Sequence, residues 1–392
     1  MLTEKSKAYR HTIATLAFSS FLVFCNLYTV QPMLSLFSEK FNVSESMANW
    51  IFASGSLGIS CCLIPWAIFA DHFGRKIIIL VSLILTTLTS LLLFFSHDLT
   101  TWIGLRLLQG LSLAGMPAVA VAYITEEFEQ NAVISAVGIY IAANTLGGIS
   151  GRLIGGVLSE YFSPNSAMLF CSLITLLGVI TTYLYLPKES QFTPQSLAVK
   201  GVIKNLCQHI RNPQLWRTFL IGGVSFGMFI NLFSVVGLHL EQAPWDFSTT
   251  QVSLLFLCYL SGTVTASMAG KLSYKWGTIK IMFLGWGIFS IGILFTLFDS
   301  LGLIIIGLLI CSIGFFLVHS LASAWVGKTA IRARALASAL YLSCYYLGAS
   351  LGGFYLLYFY QKMSWKVVPL SAELLLLTIP SLIWRLKKAV NI

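Results

Sequence analysis

Two arginines, Arg106 and Arg152, stand inside long apolar runs where a charge has no water to solvate it. A charged side chain in hydrocarbon costs roughly 2.5–3.5 kcal/mol on insertion scales, so one kept there is usually held by a partner or a water-filled cavity. Two further ionisable groups share that setting. Glu373 is the one carboxylate well inside an apolar run, and His319 is an imidazole of the kind that titrates near neutral pH. Together these four side chains can bind an anion, bias a proton or carry one. Each also has a plainer reading. An arginine or a carboxylate near a helix end can snorkel to the headgroups, and an imidazole can rest neutral in a hydrogen bond.

The elements that must position these groups are membrane helices. In the 392 residues, 57% are apolar and only 10% charged, a surface too poor in charge for a soluble domain. Apolar runs of about 20 residues, the length that crosses a bilayer core as a helix, recur along the chain. They predict an all-α membrane protein with spans at 12–37, 47–69, 77–95, 101–124, 132–158 and 167–186. After a polar break come 217–240, 249–270, 279–298, 301–327, 334–360 and 366–384, making twelve. The start of the chain is a short basic tail leading into a span too long for a signal sequence.

The net charge of +10 sorts by side of the membrane. Nineteen of the 24 basic residues fall in the N-terminal tail (Lys5, Lys7, Arg10), the alternate loops, the middle break and the C-terminal tail (Arg385, Lys387, Lys388). The opposite loops hold Lys40, Lys362 and Lys366. By the positive-inside rule both termini and the middle loop face the cytoplasm, so the basic excess marks topology and implies no nucleic-acid partner. Seven of the eight cysteines lie within spans, with Cys207 in the middle loop, so neither a disulfide frame nor a metal site is indicated. Nor does any nucleophile constellation point to an enzyme.

The break at 187–216 divides the chain into an N-terminal half, 1–186, and a C-terminal half, 217–392. The halves overlay. Phe73-Gly74 falls on Trp276-Gly277, and Gly138–Leu158 falls on Ala339–Phe359, bringing Tyr140 onto Tyr341 and Gly147 onto Gly348. Weak internal symmetry of this kind is how transporter repeats appear in sequence.

Four stretches carry a family resemblance. Ala70-Asp71-His72-Phe73-Gly74-Arg75-Lys76, in the turn after the second span, resembles the signature loop of the major facilitator superfamily. Arg106-Leu-Leu-Gln109-Gly110 resembles its embedded-arginine motif. Gly147-x-x-x-Gly151-Arg152-x-x-Gly155-Gly156 is similar to the glycine-rich motif of its antiporters, with Arg152 where the family usually has proline. Asn26-Leu-Tyr28-Thr-Val-Gln31-Pro32 resembles the bacterial drug and sugar proton-antiporter branch.

The resemblance implies two six-helix halves around a midplane cavity, with alternating access driven by a proton gradient and no bound cofactor. It implies that Asp71 caps a helix start in the C-terminal half, and that Arg75 reaches Glu126 or Glu127 at the inner end of the fourth span, with Gly74 and Lys76 completing this gate. Arg106, Gln109, Arg152, Glu373 and His319 become coupling candidates, with Glu241 or Asp246 as candidate partners of Arg152. Asn26, Gln31, Tyr140, Asn144, Phe226, Tyr341 and Tyr345 fall on helices that line the cavity. Gly147, Gly151, Gly155 and Gly156 let helices approach closely. The expected function is proton-coupled export of a small organic compound by a monomer in the inner membrane. Uptake or facilitated passage on the same fold is the alternative, and a non-transporting sensor would need a soluble domain that a loop of about 30 residues cannot supply.

Overall fold

The computed structural model describes residues 6–190, 192, 194 and 199–388. No β-strand forms among them, and twelve helical runs are long and apolar enough to cross a membrane. The first six are α1 (Lys7–Phe41), α2 (Glu45–Phe73), α3 (Arg75–Phe94), α4 (Leu99–Glu127), α5 (Gln130–Tyr161) and α6 (Pro164–Tyr185). A short helix, α7 (Val199–Arg211), lies in the middle loop. Then follow α8 (Pro213–Leu240), α9 (Thr249–Trp276), α10 (Thr278–Phe295), α11 (Leu301–Thr329), α12 (Arg334–Lys362) and α13 (Val367–Lys387). Each expected span is present, displaced by a few residues at its ends. Lys5 lies outside the described residues, as do the side chains of Lys200 and Lys388.

Three spans are interrupted at places set by proline. Regular α-helix stops at Tyr28 in α1, at Leu113 in α4 and at Leu376 in α13. Four residues further on stand Pro32, Pro117 and Pro380. Proline has no N–H to give the carbonyl four positions back, so in each case the helix ends at the residue whose acceptor has lost its donor. In α1 the chain continues through a 3-10 turn, Gln31–Met33.

The chain divides into two compact units, residues 1–43 with 50–198, and residues 44–49 with 199–392. Each contains seams without side chains, one of which recurs in both. In the first unit, a Cβ on Gly147, Gly151 or Gly155 of α5 would overlap the carbonyls of Phe21, Cys25 or Thr29 of α1. In the second, a Cβ on Gly348 or Gly352 of α12 would overlap the carbonyls of Gly223 or Gly227 of α8. Without a strong hydrophobic drive between helices in lipid, such close backbone approach supplies the packing energy. The two seams sit at equivalent places in the repeat, with Gly147 matching Gly348 and Gly151 matching Gly352.

Candidate functional site

Arg106 is fully enclosed in the first unit, which removes the snorkelling reading. Its Nη2 donates to the Leu27 carbonyl at 2.8 Å, Nη1 to the Asn26 carbonyl at 3.1 Å, and Nε to the Ile51 carbonyl at 3.2 Å. Nη1 also donates to Gln109 Oε1, one turn along α4. The carbonyls of Asn26 and Leu27 are available because the α-helical ladder stops at Tyr28, and the last carbonyls of a helix have no intrahelical donor. A guanidinium there meets the negative end of the helix dipole. Gly55 leaves it room, since a Cβ would come within 2.8 Å of Nη2. The hydrogen-bond partners of Arg106 among the described residues are thus all neutral.

A buried network extends from this point. Gln109 Nε2 donates to Ser90 Oγ at 2.6 Å and Asn26 Oδ1 at 3.3 Å. Asn26 Nδ2 donates to Thr175 Oγ1 at 2.8 Å and the Leu22 carbonyl at 2.9 Å. Asn26, expected on a cavity wall, is instead wholly enclosed and joins α1 to α3, α4 and α6. Its polar atoms are all committed.

Arg152 is also buried. Its Nε donates to Gln31 Oε1 at 2.8 Å, its Nη1 donates to the Gly148 carbonyl at 2.8 Å, and its guanidinium lies over the Tyr28 ring at 4.0 Å. Gln31 and Arg152, reached from separate motifs, therefore form one site. Glu241 and Asp246, the acids considered for Arg152, belong to the second unit. Tyr140 is buried, while Asn144 is partly exposed and accepts a hydrogen bond from Ser20 across the α1–α5 seam.

The loop at 70–76 turns on Gly74, whose φ of +97° favours glycine. Arg75 then grips Glu126 through both carboxylate oxygens, Nε lying 2.7 Å from Oε2, while Nη1 reaches Asp71 Oδ1 at 3.2 Å. Glu127 faces elsewhere. It accepts from the Ser190 N–H and hydroxyl, each at 2.9 Å, because consecutive helical residues point about 100° apart. Lys76 N–H donates to Glu189 Oε1 at 2.8 Å, and its ammonium to the Tyr183 carbonyl at 3.0 Å. Glu189 and Ser190 were missed from sequence, being loop residues without periodicity. At the repeated loop Gly277 has φ of +89°, and Tyr274, in the acid's place, is 95% exposed.

In the second unit, Phe226 stacks on Tyr345 with centroids 3.6 Å apart, and His319 lies between Phe315, Tyr341 and Tyr345. His319 Nδ1 is 2.9 Å from the Tyr341 hydroxyl, and that hydroxyl lies 3.4 Å from the His319 carbonyl. A hydroxyl has one hydrogen to give. With it directed at the carbonyl, the Tyr341 oxygen is able to accept Nδ1–H, the arrangement in which Nε2 carries the free lone pair. Nε2 has no hydrogen-bond partner among the described residues, and the ring is partly exposed. Glu373 stands on α13, its Oε2 buried without a hydrogen-bond partner. No group of three or more metal-ligating side chains occurs among the described residues.

The chain is similar to known proteins in sequence and in fold. The inner membrane transport protein YnfM of Escherichia coli K12 is 36% identical over 356 residues, covering 90% of this chain and 85% of the relative. The multi-drug resistance efflux pump PmrA of Streptococcus pneumoniae is 27% identical, covering 68% of this chain and 67% of the pump. The nucleoside transporter NupG, solved as a mutant, shares the fold, with a TM-score of 0.77 at 14% identity over 96% of this chain and 99% of that one. The profile of the Major Facilitator Superfamily matches residues 16–353. A match running through both units, joined to relatives that are transporters and not enzymes, places this multi-pass membrane protein within the Major Facilitator Superfamily of secondary transporters.

Proposed function

We propose that the chain is a proton-coupled exporter of a small organic compound, working by alternating access as a monomer without a bound cofactor. It resides in the inner membrane with both termini and the 187–216 loop in the cytoplasm. The basic-residue asymmetry supports that orientation, and the similarity to an efflux pump supports export. The observation that carries proton coupling is the geometry of His319. Nδ1 is engaged by the Tyr341 hydroxyl, and in the tautomer that donates Nδ1–H the Nε2 lone pair is open, so the ring can take a proton there without breaking an existing bond. Neither arginine can be the carrier, because guanidinium keeps its proton in proteins.

The test uses everted membrane vesicles holding a quenched acridine reporter of the proton gradient, challenged with a panel of organic cations, anions and neutral compounds. A compound exchanged for protons restores fluorescence, and the vesicles accumulate it. Export without any effect on the gradient would reject the coupling. The neutral hydrogen-bond partners of Arg106 favour a second reading, a facilitator. It predicts equilibration of a compound in both directions with no dependence on the gradient.

A further inference from the structure

We propose that α7 is a membrane-surface helix whose outer face binds the headgroups of anionic phospholipids. The helix is amphipathic in three strips. Towards the protein lie His209, which is buried, and Val202, Asn205 and Leu206, which are half-buried, with α7 packed on α8 and α12. A second strip carries Ile203, Cys207 and Ile210, spaced i, i+4 and i+7 and so on one face. It is exposed, Ile203 being 53% and Ile210 55% open to solvent. Beside it, one residue further round in each case, stand Lys204 and Arg211, both exposed.

Two observations identify what covers this face. The first is where the chain holds it. A single residue, Asn212, separates Arg211 from Pro213 at the start of the α8 span. The Asn212 side chain caps that span, accepting from Gln214 N–H at 2.9 Å, while its own N–H returns to the Gln208 carbonyl at 3.1 Å. This tight corner keeps the end of α7 at the level where α8 enters the membrane. The second is charge. No aspartate or glutamate occurs between Glu189 and Glu241, so the basic strip has no acidic neighbour along this stretch of sequence. Open isoleucines favour leaving water, and basic residues beside them favour an anionic interface. An apolar strip flanked by lysine and arginine lies in the plane of such a surface.

The full-length chain carrying a fluorescent label at Cys207, with the other cysteines replaced, tests this in nanodiscs. One set contains phosphatidylcholine alone, the other an equal mixture of phosphatidylcholine and phosphatidylglycerol. In the mixture the label should shift to the blue, be quenched by lipids spin-labelled near the headgroup, and be shielded from aqueous iodide. Lys204→Gln and Arg211→Gln should each lower the docked fraction relative to the undocked by about fivefold, the contribution of one basic residue near an anionic surface. Equal burial in both lipids would overturn the anionic preference, and full iodide quenching in both would overturn docking. Amide exchange over residues 199–211 in the unaltered chain provides an independent check. It should slow when phosphatidylglycerol is present, and an unchanged rate counts against the proposal.

Discussion

Arg75 at the start of α3 holds Glu126 of α4 by both carboxylate oxygens, and at the same time holds Asp71 one turn behind it. Both acids are about half exposed. Exposed ion pairs contribute about 0–1 kcal/mol, too little for this cluster to matter mainly to stability. We expect Asp71→Asn to cut transport strongly while membrane abundance stays near wild type, measured as transport per unit of inserted protein. Normal transport by the variant would remove the gate assignment.

Arg106 presents the opposite balance. Arg106→Ala would strand the buried carbonyls of Asn26 and Leu27 at the helix break, each costing roughly 1–3 kcal/mol when left unpaired. Gradient-driven transport should be lost and the thermal midpoint in detergent should fall. Arg106→Lys should recover part of both, because an ammonium reaches some of these acceptors but lacks the planar fork. Full transport by the alanine variant would leave the residue without a functional role.

The α1–α5 seam admits no side chain at Gly151. Overpacking of this kind costs typically 1–3 kcal/mol, so Gly151→Ala should lower abundance and thermal midpoint. Gly104 is the control. A Cβ there meets nothing within 4 Å, and Gly104→Ala should be neutral or slightly stabilising. Equal effects at both sites would refute the seam.

For His319, substitution separates proton movement from substrate movement. His319→Gln should abolish gradient-driven transport yet retain counterflow, which needs no net proton transfer. Tyr341→Phe should keep transport with a displaced pH profile. If Glu373→Gln abolishes coupling and His319→Gln does not, the proton belongs on α13.

Asp98 caps α4, accepting from the Thr101 N–H at 2.8 Å. Hydrogen bonding from Thr101 holds its carboxyl below the usual aspartate range. A group depressed in the folded state stabilises it above its unfolded pKa, and that contribution is lost as pH falls through the folded value. Acidification below the ordinary aspartate range, near ~3.9, should therefore loosen the first turn of α4. Amide exchange at residues 99–102 reports this. Asp98→Asn, still a cap but uncharged, should show no such step.

The spans were legible because apolar length is written directly in residue types. Their interruptions were legible only in principle, since Pro32, Pro117 and Pro380 were visible but each sits beyond the residue where the helix stops. Arg75 to Glu126 could be read because both stand at helix ends on the same side of the membrane. Glu127 could not be told from Glu126 without knowing which way the helix faced. The neutral setting of Arg106 was illegible. Its acceptors are mostly backbone carbonyls, which leave no trace in side-chain identity. Asn26 and Gln31 were grouped together by motif, yet the first closes a network with Gln109 and the second meets Arg152.

The glycine seams have a consequence for the bilayer around the protein. Where backbone lies directly on backbone, one helix cannot slide past its partner without lifting the ladder out of register. A bilayer thicker or thinner than the hydrophobic length must then be met by tilting α1 with α5, or α8 with α12, as single planks. Acyl-chain length thus acts through tilt, while the paired helices keep their spacing whatever lipid surrounds them.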